Sequence, residues 1–363
     1  MQKSTGLRIV AAAGLALTVT ATPLLTGAHT ANAAHRQAAT GTVGFLFSDF
    51  TTSARWQFDR DYYIAAMKSL DPGVTVKYTD AKTDQTKQQN QAQSLLTSGA
   101  KVLIDVPEDS AGAAAIVRIA HQNSPKVPVI AYDRLIKGAP VDAYTTFDGF
   151  SVGQQQARYL VAHLKKGATI VSIAGASTDN NALLFHAGAF SVLQPLINNG
   201  TYKLGYDKYT PAWANTTAQA EMASALNKLG NKVDGVLVAN DGMAGGVVTA
   251  LAAQGLAGKI PVTGQDATVA GLQQILLGKQ SMTIYKPLKL LATAAAQVTD
   301  AFLNHKMYHY KTTTPNGAGN IPTVLLPVTT VTKDNIASTV IKDGFVTKAQ
   351  LCQGPAAATS FCK

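Results

Sequence analysis

VPVIAYDR, residues 127–134, is a short apolar run rich in β-branched residues that ends abruptly in a charged pair. Four later runs have the same form: TIVSIAGASTDNN (169–181), DGVLVANDG (234–242), IPVTGQDA (260–267) and SMTIYKP (281–287). Their alternation with helical segments predicts parallel strands in βαβ units. Polar residues then fall at the carboxyl ends of the strands, where open α/β sheets bind ligands. These residues are Asp133, Arg134, Asp179, Asn181, Asn240, Asp266 and Lys286.

Length and charge limit the classes of protein to which this chain can belong. The chain has 363 residues, more than one hydrophobic core usually spans, which predicts two lobes. It carries 31 Lys and Arg against 21 Asp and Glu, a net charge of +10. The basic residues are scattered and form no stripe interleaved with aromatic residues, which argues against nucleic-acid binding. A weakly cationic surface suits contact with anionic cell envelopes, although solvation of an exported surface is the simpler interpretation.

Residues 1–33 have the features of a cleaved signal peptide. Lys3 and Arg8 precede an apolar stretch, and the triplet Ala-Asn-Ala at 31–33 supplies the small residues that signal peptidase accepts. A permanent membrane anchor is the alternative, but the stretch is short and is broken by glycine, threonine and proline. No cysteine follows it, so no lipid anchor is indicated. We expect release into the periplasm or the medium.

The two cysteines of the sequence, Cys352 and Cys362, lie close together near its C-terminus. In an exported chain, such a pair predicts a disulfide that closes a small loop and stabilises the fold by roughly 3 kcal/mol. Catalysis by cysteine is the weaker alternative, because neither residue lies near a recognisable histidine motif or an apolar strand end. Residues 348–363 are therefore predicted to form a disulfide-closed tail.

The alternation of strands and helices predicts an α/β fold with two Rossmann-like lobes, each with a parallel central sheet. The N-terminal lobe is predicted over residues 42–147 plus 285–320, and the C-terminal lobe over 148–284 plus 324–347. Three hinge crossings are expected to join them, near Tyr144–Gly149, Thr283–Lys286 and Val324–Thr329.

Seven motifs carry a family resemblance. They are ARWQFDRD (54–61), AYDR (131–134), FDG (147–149), DNNALLF (179–185), VANDGMAGG (238–246), GQDA (264–267) and TIYKP (283–287). As a set they resemble the type I periplasmic sugar-binding proteins of ABC importers, most closely the members that bind D-xylose. The resemblance extends from Thr42 to Val346. It implies two lobes joined by three crossings, reversible binding of a pentose between them, hinge closure and delivery to a membrane permease.

The resemblance also implies which residues contact the ligand. Two positions depart from the pattern of the xylose-binding members: Gly149 stands in place of an asparagine, and His186 stands in place of an arginine. These departures bear on sugar choice or on contacts between the lobes. The positions that match the family's contacts are Arg55, Trp56, Asp133, Arg134, Asp179, Asn181, Trp213, Asn240, Asp266 and Lys286.

The chemistry of these residues also favours a sugar. A sugar hydroxyl donates and accepts at once, so its site needs planar groups that bind two adjacent hydroxyls, as Asp, Asn and Arg do. Three carboxylates balance three cations in the set, which disfavours a charged ligand because an unpaired buried charge costs several kcal/mol. The sequence has only two tryptophans, Trp56 and Trp213, and each offers an apolar face to the C–H surface of a pyranose.

Other classes of protein fit the sequence less well. The first βα turn, FLFSDFTTSARW (45–56), contains no glycine, so it lacks the phosphate cradle of dinucleotide and P-loop enzymes. No G-x-S-x-G elbow, metal-ligand spacing or helix-turn-helix is present. These absences argue against an enzyme and against a repressor. The resemblance implies a monosaccharide and an ABC permease as partners, and we expect a monomer that uses no cofactor. Binding of another pentose, a hexose or an amino acid, and sugar sensing through a chemoreceptor, remain the alternatives.

Overall fold

The structure, a computed structural model, describes residues 39–51 and 55–363. These described residues belong to one compact unit. The predicted signal peptide at 1–33 lies outside the described residues. Within the described residues, no helix combines the length and hydrophobicity needed to cross a membrane.

Strands and helices alternate along most of the chain. The first segment contains β1 (Thr40–Phe47), α1 (Arg55–Leu70), β2 (Gly73–Asp80), α2 (Gln85–Thr97), β3 (Ala100–Asp105), α3 (Ala114–His121), β4 (Val129–Tyr132) and β5 (Ala143–Phe147). The second contains α4 (Gly149–His163), β6 (Thr169–Ala174), α5 (Asn180–Asn198), β7 (Lys203–Tyr209), a 3₁₀ turn (Pro211–Trp213), α6 (Asn215–Leu229), β8 (Gly235–Val238), α7 (Asp241–Ala253), α8 (Val269–Leu276) and β9 (Thr283–Tyr285). The last contains α9 (Leu288–Leu303), β10 (Thr312–Pro315), β11 (Asn320–Leu326), β12 (Thr329–Val331), a π-helical turn (Ala337–Ile341), α10 (Lys348–Leu351) and a 3₁₀ turn (Gly354–Ala358).

The first lobe is built on a seven-stranded sheet in the order β10-β11-β5-β4-β3-β1-β2. All neighbouring strands are parallel except the β10–β11 hairpin. Successive side chains of a strand point to opposite faces of the sheet, and each face is covered by its own hydrophobic core. Phe45 packs with Tyr63 of α1 and Leu291 of α9, whereas Leu46 packs with Leu95 of α2 and Ile116 of α3.

The second lobe has a parallel sheet in the order β7-β6-β8, and β9 and β12 pair separately as an antiparallel ribbon. Its strands alternate in the same way. Val171 and Ile173 of β6 face the core formed with α6 and α7, while Ile170 faces α4 and α5. The carboxyl ends of β6 and β8 therefore lie on one edge, where α5 and α7 begin.

Three crossings join the lobes, and two of the lobe boundaries lie slightly later in the chain than predicted. The boundary predicted at 324 falls inside β11, where Val324 pairs with Thr145 in the first sheet. The ladder ends at Pro327, which has no N–H to donate. The boundary predicted at 285 falls at the end of β9, where Tyr285 pairs with Thr329 in the second lobe. The crossings therefore lie at residue 148, at 286–287 and at 327–328.

The C-terminal tail packs on α8 of the second lobe. Cys352 and Cys362 are joined by a disulfide, and Leu351 is buried in a cluster with Leu272. Gln273 Nε2 also donates to Leu351 O at 3.2 Å. The tail thus covers the outer face of the helix that follows Asp266.

Candidate ligand-binding site

The two lobes face each other across a cavity that is lined by residues of both. All ten residues predicted from the sequence to contact a ligand line this cavity, and each is buried. Arg55, Trp56, Asp133 and Arg134 come from the first lobe, Asp179, Asn181, Trp213, Asn240 and Asp266 come from the second, and Lys286 lies at the second crossing. Phe185 and Gln265, which were not predicted, complete the lining.

Arg55 opens α1 and is surrounded by carboxylates. Asp59, one helical turn later, binds its Nε at 2.9 Å and its Nη2 at 3.1 Å, and Tyr132 OH donates to Asp59 Oδ1 at 2.6 Å. Asp133 Oδ2 accepts from Arg55 Nη1 at 2.8 Å. Burial disfavours the charged guanidinium, but Asp133 and Asp59 outweigh it and place the pKa of Arg55 above its ordinary value. A charged side chain is thus held with a defined orientation at the wall of the cavity.

Asp133 has a backbone conformation that is uncommon for residues other than glycine. Its φ is +60°, in the left-handed region that costs energy for any residue other than glycine. The neighbouring strand β5 holds it there: Thr145 O accepts from Asp133 N at 2.7 Å, and Thr146 Oγ1 donates to Asp133 O at 2.7 Å. This turn directs both Asp133 and the following Arg134 into the cavity.

Arg134 connects the two lobes. Its Nε lies 2.8 Å from Asp179 Oδ2 in the second lobe, and its Nη1 donates to Pro107 O in the first at 3.1 Å. The guanidinium also lies 5.5 Å from the centre of the Trp56 ring. Burial raises the pKa of Asp179 although Arg134 opposes the shift. The pair is therefore a buried contact whose loss leaves a polar group without its partner.

In the second lobe, two ligand-site residues also cap helices. Asp179 Oδ1 accepts from Asn181 N at 2.8 Å at the start of α5, and Asn240 Oδ1 accepts from Met243 N at 2.9 Å at the start of α7. Asn181 in turn donates through Nδ2 to Asp133 Oδ1 at 3.0 Å. Capping and cavity lining coincide because a helix that follows a parallel strand begins at the carboxyl edge of the sheet.

The loop that carries Asp266 is strained in the same way as that of Asp133. Asp266 has a φ of +93° and Ala267 a φ of +49°. Gln156 of α4 fixes the start of the loop by donating through Nε2 to Gly264 O at 2.9 Å. Asp266 Oδ1 lies 3.4 Å from Lys286 Nζ. The loop thus brings a carboxylate from one strand end to a cation at the second crossing.

A buried carboxylate, Asp241, supports this loop from behind. Its oxygens accept from Gln280 Nε2 at 2.7 Å, from Thr283 Oγ1 at 2.8 Å and from Thr268 N at 2.8 Å. Burial raises the pKa of Asp241 to about 7, although these three donors oppose the shift. Asp241 therefore takes up a proton in the folded protein at a higher pH than it does in the unfolded chain.

That shift predicts a pH-dependent stability. Between the ordinary value of 3.8 and about 7, the folded state binds a proton that the unfolded state has lost. The contribution of Asp241 protonation to the free energy of unfolding is therefore fully present below about pH 4. It declines as pH rises towards 7, with a slope of at most about 1.4 kcal/mol per pH unit. We expect Asp241→Asn to remove this slope, as measured by urea unfolding at several pH values. Asp61→Asn, at an exposed position of α1, is the control, and an equal slope in Asp241→Asn and wild type would contradict the prediction.

Aromatic side chains form two apolar walls of the cavity. Trp56 lies beneath the guanidinium of Arg55, with 4.5 Å between Cζ and the ring centre. Trp213 packs edge-to-face with Phe185, at 6.2 Å between ring centres. Among the residues that the structure describes, neither indole Nε1 has a hydrogen-bond partner, and both are buried. Each tryptophan therefore supplies an apolar face and an N–H group whose hydrogen bond a ligand could accept.

The charges that line the cavity are balanced. Burial opposes ionisation of Asp133, but Arg55, Lys286 and Arg134 together outweigh it and lower the pKa of Asp133 below its ordinary value. In the described part of the chain, no cluster of three or more His, Cys, Asp or Glu side chains has an arrangement that could hold a metal ion. The cavity thus presents ionised groups of both signs in nearly equal number, together with amides and aromatic rings.

Two lining residues were missed by the sequence analysis although both lie in motifs that it identified. Gln265 directly precedes Asp266, and strand alternation would direct these two neighbours to opposite faces. The irregular backbone at Asp266 removes that alternation, and Gln265 Oε1 is buried without a hydrogen-bond partner among the described residues. Phe185 belongs to the DNNALLF motif, where an apolar residue is equally compatible with an ordinary core position.

The two departures from the family pattern have different surroundings. His186 pairs with Asp207 at 3.0 Å and stacks on Phe190, and it does not line the cavity. Gly149 lies directly behind the cavity, because a Cβ atom at this position would stand 3.1 Å from the ring of Phe185. A larger residue at 149 would displace Phe185, so this departure bears on the shape of the site.

Comparison with known proteins identifies the family. Residues 43–307 match the model of the periplasmic binding protein domain. The chain belongs to this family. A solved ABC transporter solute-binding protein from Clostridium phytofermentans, with bound β-D-glucose, has a TM-score of 0.79 and 29% identity, covering 86% of this chain and all of that one. The predicted α/β fold of the type I periplasmic binding proteins is thereby confirmed. Because the family consists of binding proteins, the expectation that the chain is not an enzyme is also confirmed.

Relatives of this family member carry names that refer to sugars. The D-xylose-binding periplasmic protein of Escherichia coli K12 is 38% identical over 309 residues, which cover 85% of this chain and 92% of that protein. The multiple sugar-binding periplasmic receptor ChvE of Rhizobium radiobacter is 33% identical, with 86% and 92% covered. A carbohydrate transporter solute-binding protein from Chloroflexus aurantiacus, solved with D-glucose, has a TM-score of 0.76 and 31% identity, covering 85% of this chain and 97% of that one.

Proposed function

We propose that this family member is an exported solute-binding protein that captures a neutral monosaccharide, D-xylose in the first instance, and delivers it to an ABC permease. The observation that carries the proposal is the composition of one buried cavity. Three carboxylates, three cations and three amides line it together with two tryptophans. Planar polar groups of both signs suit vicinal hydroxyls, and the indole faces suit the C–H surface of a pyranose.

Two observations support a pentose. Relatives that share 38% and 36% identity with this chain are named D-xylose-binding proteins. Phe185, packed against Gly149, also closes one side of the cavity. D-Glucose differs from D-xylose by a CH₂OH group at C5, so the comparison of these two sugars measures how much room the cavity leaves there.

Titration calorimetry tests the proposal. The panel contains D-xylose, L-arabinose, D-ribose, D-glucose and a neutral amino acid, with tryptophan fluorescence recorded in parallel. We expect D-xylose to bind most tightly and to change the fluorescence, because Trp56 and Trp213 are the only tryptophans and both line the cavity. Heat with the amino acid and none with any monosaccharide would refute the proposed function.

Enclosure by both lobes implies motion on binding. A sugar in contact with residues of both lobes can enter only if the lobes separate about the crossings at 148, 286–287 and 327–328. We therefore expect D-xylose to reduce the radius of gyration measured by small-angle scattering. A scattering profile unaltered by saturating sugar would exclude closure as part of the mechanism.

Gly175→Ala is predicted to weaken sugar binding through Trp213. A Cβ atom at 175 would stand 2.1 Å from Trp213 Cη2, and the backbone of Trp213 is already in the left-handed region with a φ of +54°, which limits how far the ring can retreat. We expect at least about tenfold weaker binding, the equivalent of about 1.4 kcal/mol. Gly319→Ala is the matched control, because nothing lies within 4 Å of its added Cβ. Equal affinities of the two variants would show that Trp213 does not contact the sugar.

A further inference from the structure

Ser110 of the first lobe makes hydrogen bonds to the second lobe outside the cavity. It lies in the connection between β3 and α3, is 3% exposed, and is not among the residues that line the cavity. Its N–H donates to Thr178 O at 3.0 Å, and its Oγ accepts from Asn180 N at 3.0 Å. Two hydrogen bonds thus join this single residue to the turn that begins α5.

The turn that Ser110 contacts carries part of the binding site. Thr178 and Asn180 flank Asp179, and Asn181 follows. The two hydrogen bonds of Ser110 therefore hold the backbone on both sides of a cavity residue. Ser110 therefore fixes the place at which the second lobe presents Asp179 to Arg134 across the cleft.

The first lobe presents Ser110 on a well-supported turn. Asp109 Oδ1 accepts from Ala111 N at 2.8 Å and from Gly112 N at 2.6 Å. Gln85 of α2 holds the same turn, because its Oε1 accepts from Asp109 N at 3.0 Å. Ser110 O also accepts from Lys137 N at 2.6 Å. The position of Ser110 is thus set by its own lobe, independently of any ligand.

We propose that Ser110 is a positioning residue for sugar binding that acts between the lobes and not on the sugar. The inference rests on the proposed function. The hydrogen bonds of Ser110 to the second lobe form when the two lobes are together. They therefore favour the closed state that encloses the sugar, and they do so without contributing contacts to the ligand. The apparent affinity then changes with the population of that state, by the same factor for every sugar. A residue that contacts a hydroxyl changes the affinities of different sugars by different factors.

Ser110→Ala tests this inference, because it removes Oγ and leaves both backbone hydrogen bonds possible. We expect the dissociation constant for D-xylose to rise about 3- to 10-fold, the effect of one hydrogen bond. We also expect faster dissociation in stopped-flow fluorescence and an unchanged ratio of the dissociation constants for D-xylose and D-glucose. Ser224→Ala is the matched control, since its hydroxyl is exposed and donates to Ala220 O within α6. Asn181→Ala, which alters a cavity residue, is expected to change the ratio.

The outcomes separate this inference from the proposed function. Unchanged affinity in Ser110→Ala overturns the role of Ser110, and so does a changed ratio between the sugars, because that would place Ser110 in contact with the ligand. If the wild-type protein binds no sugar, the proposed function fails and this inference fails with it. Thermal unfolding of Ser110→Ala at the wild-type temperature, together with the loss in affinity, excludes a general loss of stability as the cause.

Discussion

Arg134→Ala is expected to raise the dissociation constant for the sugar by about 30-fold to more than 1000-fold, the equivalent of about 2–5 kcal/mol. Arg134 lines the cavity and binds Asp179 of the opposite lobe at 2.8 Å. Its removal takes away a ligand contact and leaves a buried carboxylate without its charged partner. The expected loss is therefore larger than that of a single neutral hydrogen bond.

Calorimetry measures the effect, and a matched arginine serves as the control. Arg158 is exposed on α4, and its Nη2 donates to Gln154 Oε1 on the same helix at 3.4 Å. We expect Arg158→Ala to bind sugar as the wild type does. Circular dichroism checks that Arg134→Ala still folds. Unchanged sugar affinity in Arg134→Ala would place the binding site elsewhere.

Asp59→Ala is expected to lower the free energy of unfolding by about 3–5 kcal/mol, the typical cost of removing one partner of a buried ion pair. Asp59 is fully buried, accepts two hydrogen bonds from Arg55 and accepts another from Tyr132 OH. Without it, the guanidinium of Arg55 remains in the interior with one carboxylate fewer. Sugar affinity should fall as well, because Arg55 loses the partner that orients it in the cavity.

Asp61 provides the control on the same helix. Its side chain is 61% exposed and pairs with Arg60 Nε at 2.8 Å, an arrangement that contributes at most about 1 kcal/mol. Urea unfolding compares the two alanine variants with the wild type. A midpoint for Asp59→Ala equal to that of Asp61→Ala would show that the buried ion pair contributes little to the stability of this lobe.

The polar ends of the apolar runs predicted seven of the residues that meet in the cavity. In parallel βαβ units, all strands end at the same edge of the sheet, so a local pattern such as VPVIAYDR determines where its final residues lie. The strand ends therefore predicted Asp133, Arg134, Asp179, Asn181, Asn240, Asp266 and Lys286. The family resemblance was needed for Arg55, Trp56 and Trp213, which do not follow apolar runs of this type.

The boundaries between the lobes were harder to predict from local sequence patterns. The run VLLPVTTVT reads as one crossing, but the structure divides it at Pro327: its first residues pair with β5 in one lobe, and Thr329–Val331 pair with β9 in the other. Strand propensity does not specify the partner strand. Pairing is decided by the rest of the sheet.

The sequence by itself determined the alternating fold, the edge at which the site lies and the types of side chain that meet there. Only the tertiary structure decided how those side chains are held: the carboxylate of Asp59 behind Arg55, the left-handed backbones of Asp133 and Asp266, the buried amide of Gln265 and the bonds of Ser110 across the lobes. Apolar periodicity follows from burial of neighbouring residues, so it can be recognised within a short stretch of sequence. Hydrogen bonds between distant segments and strained torsion angles depend on how complete elements pack, and no local pattern records that packing.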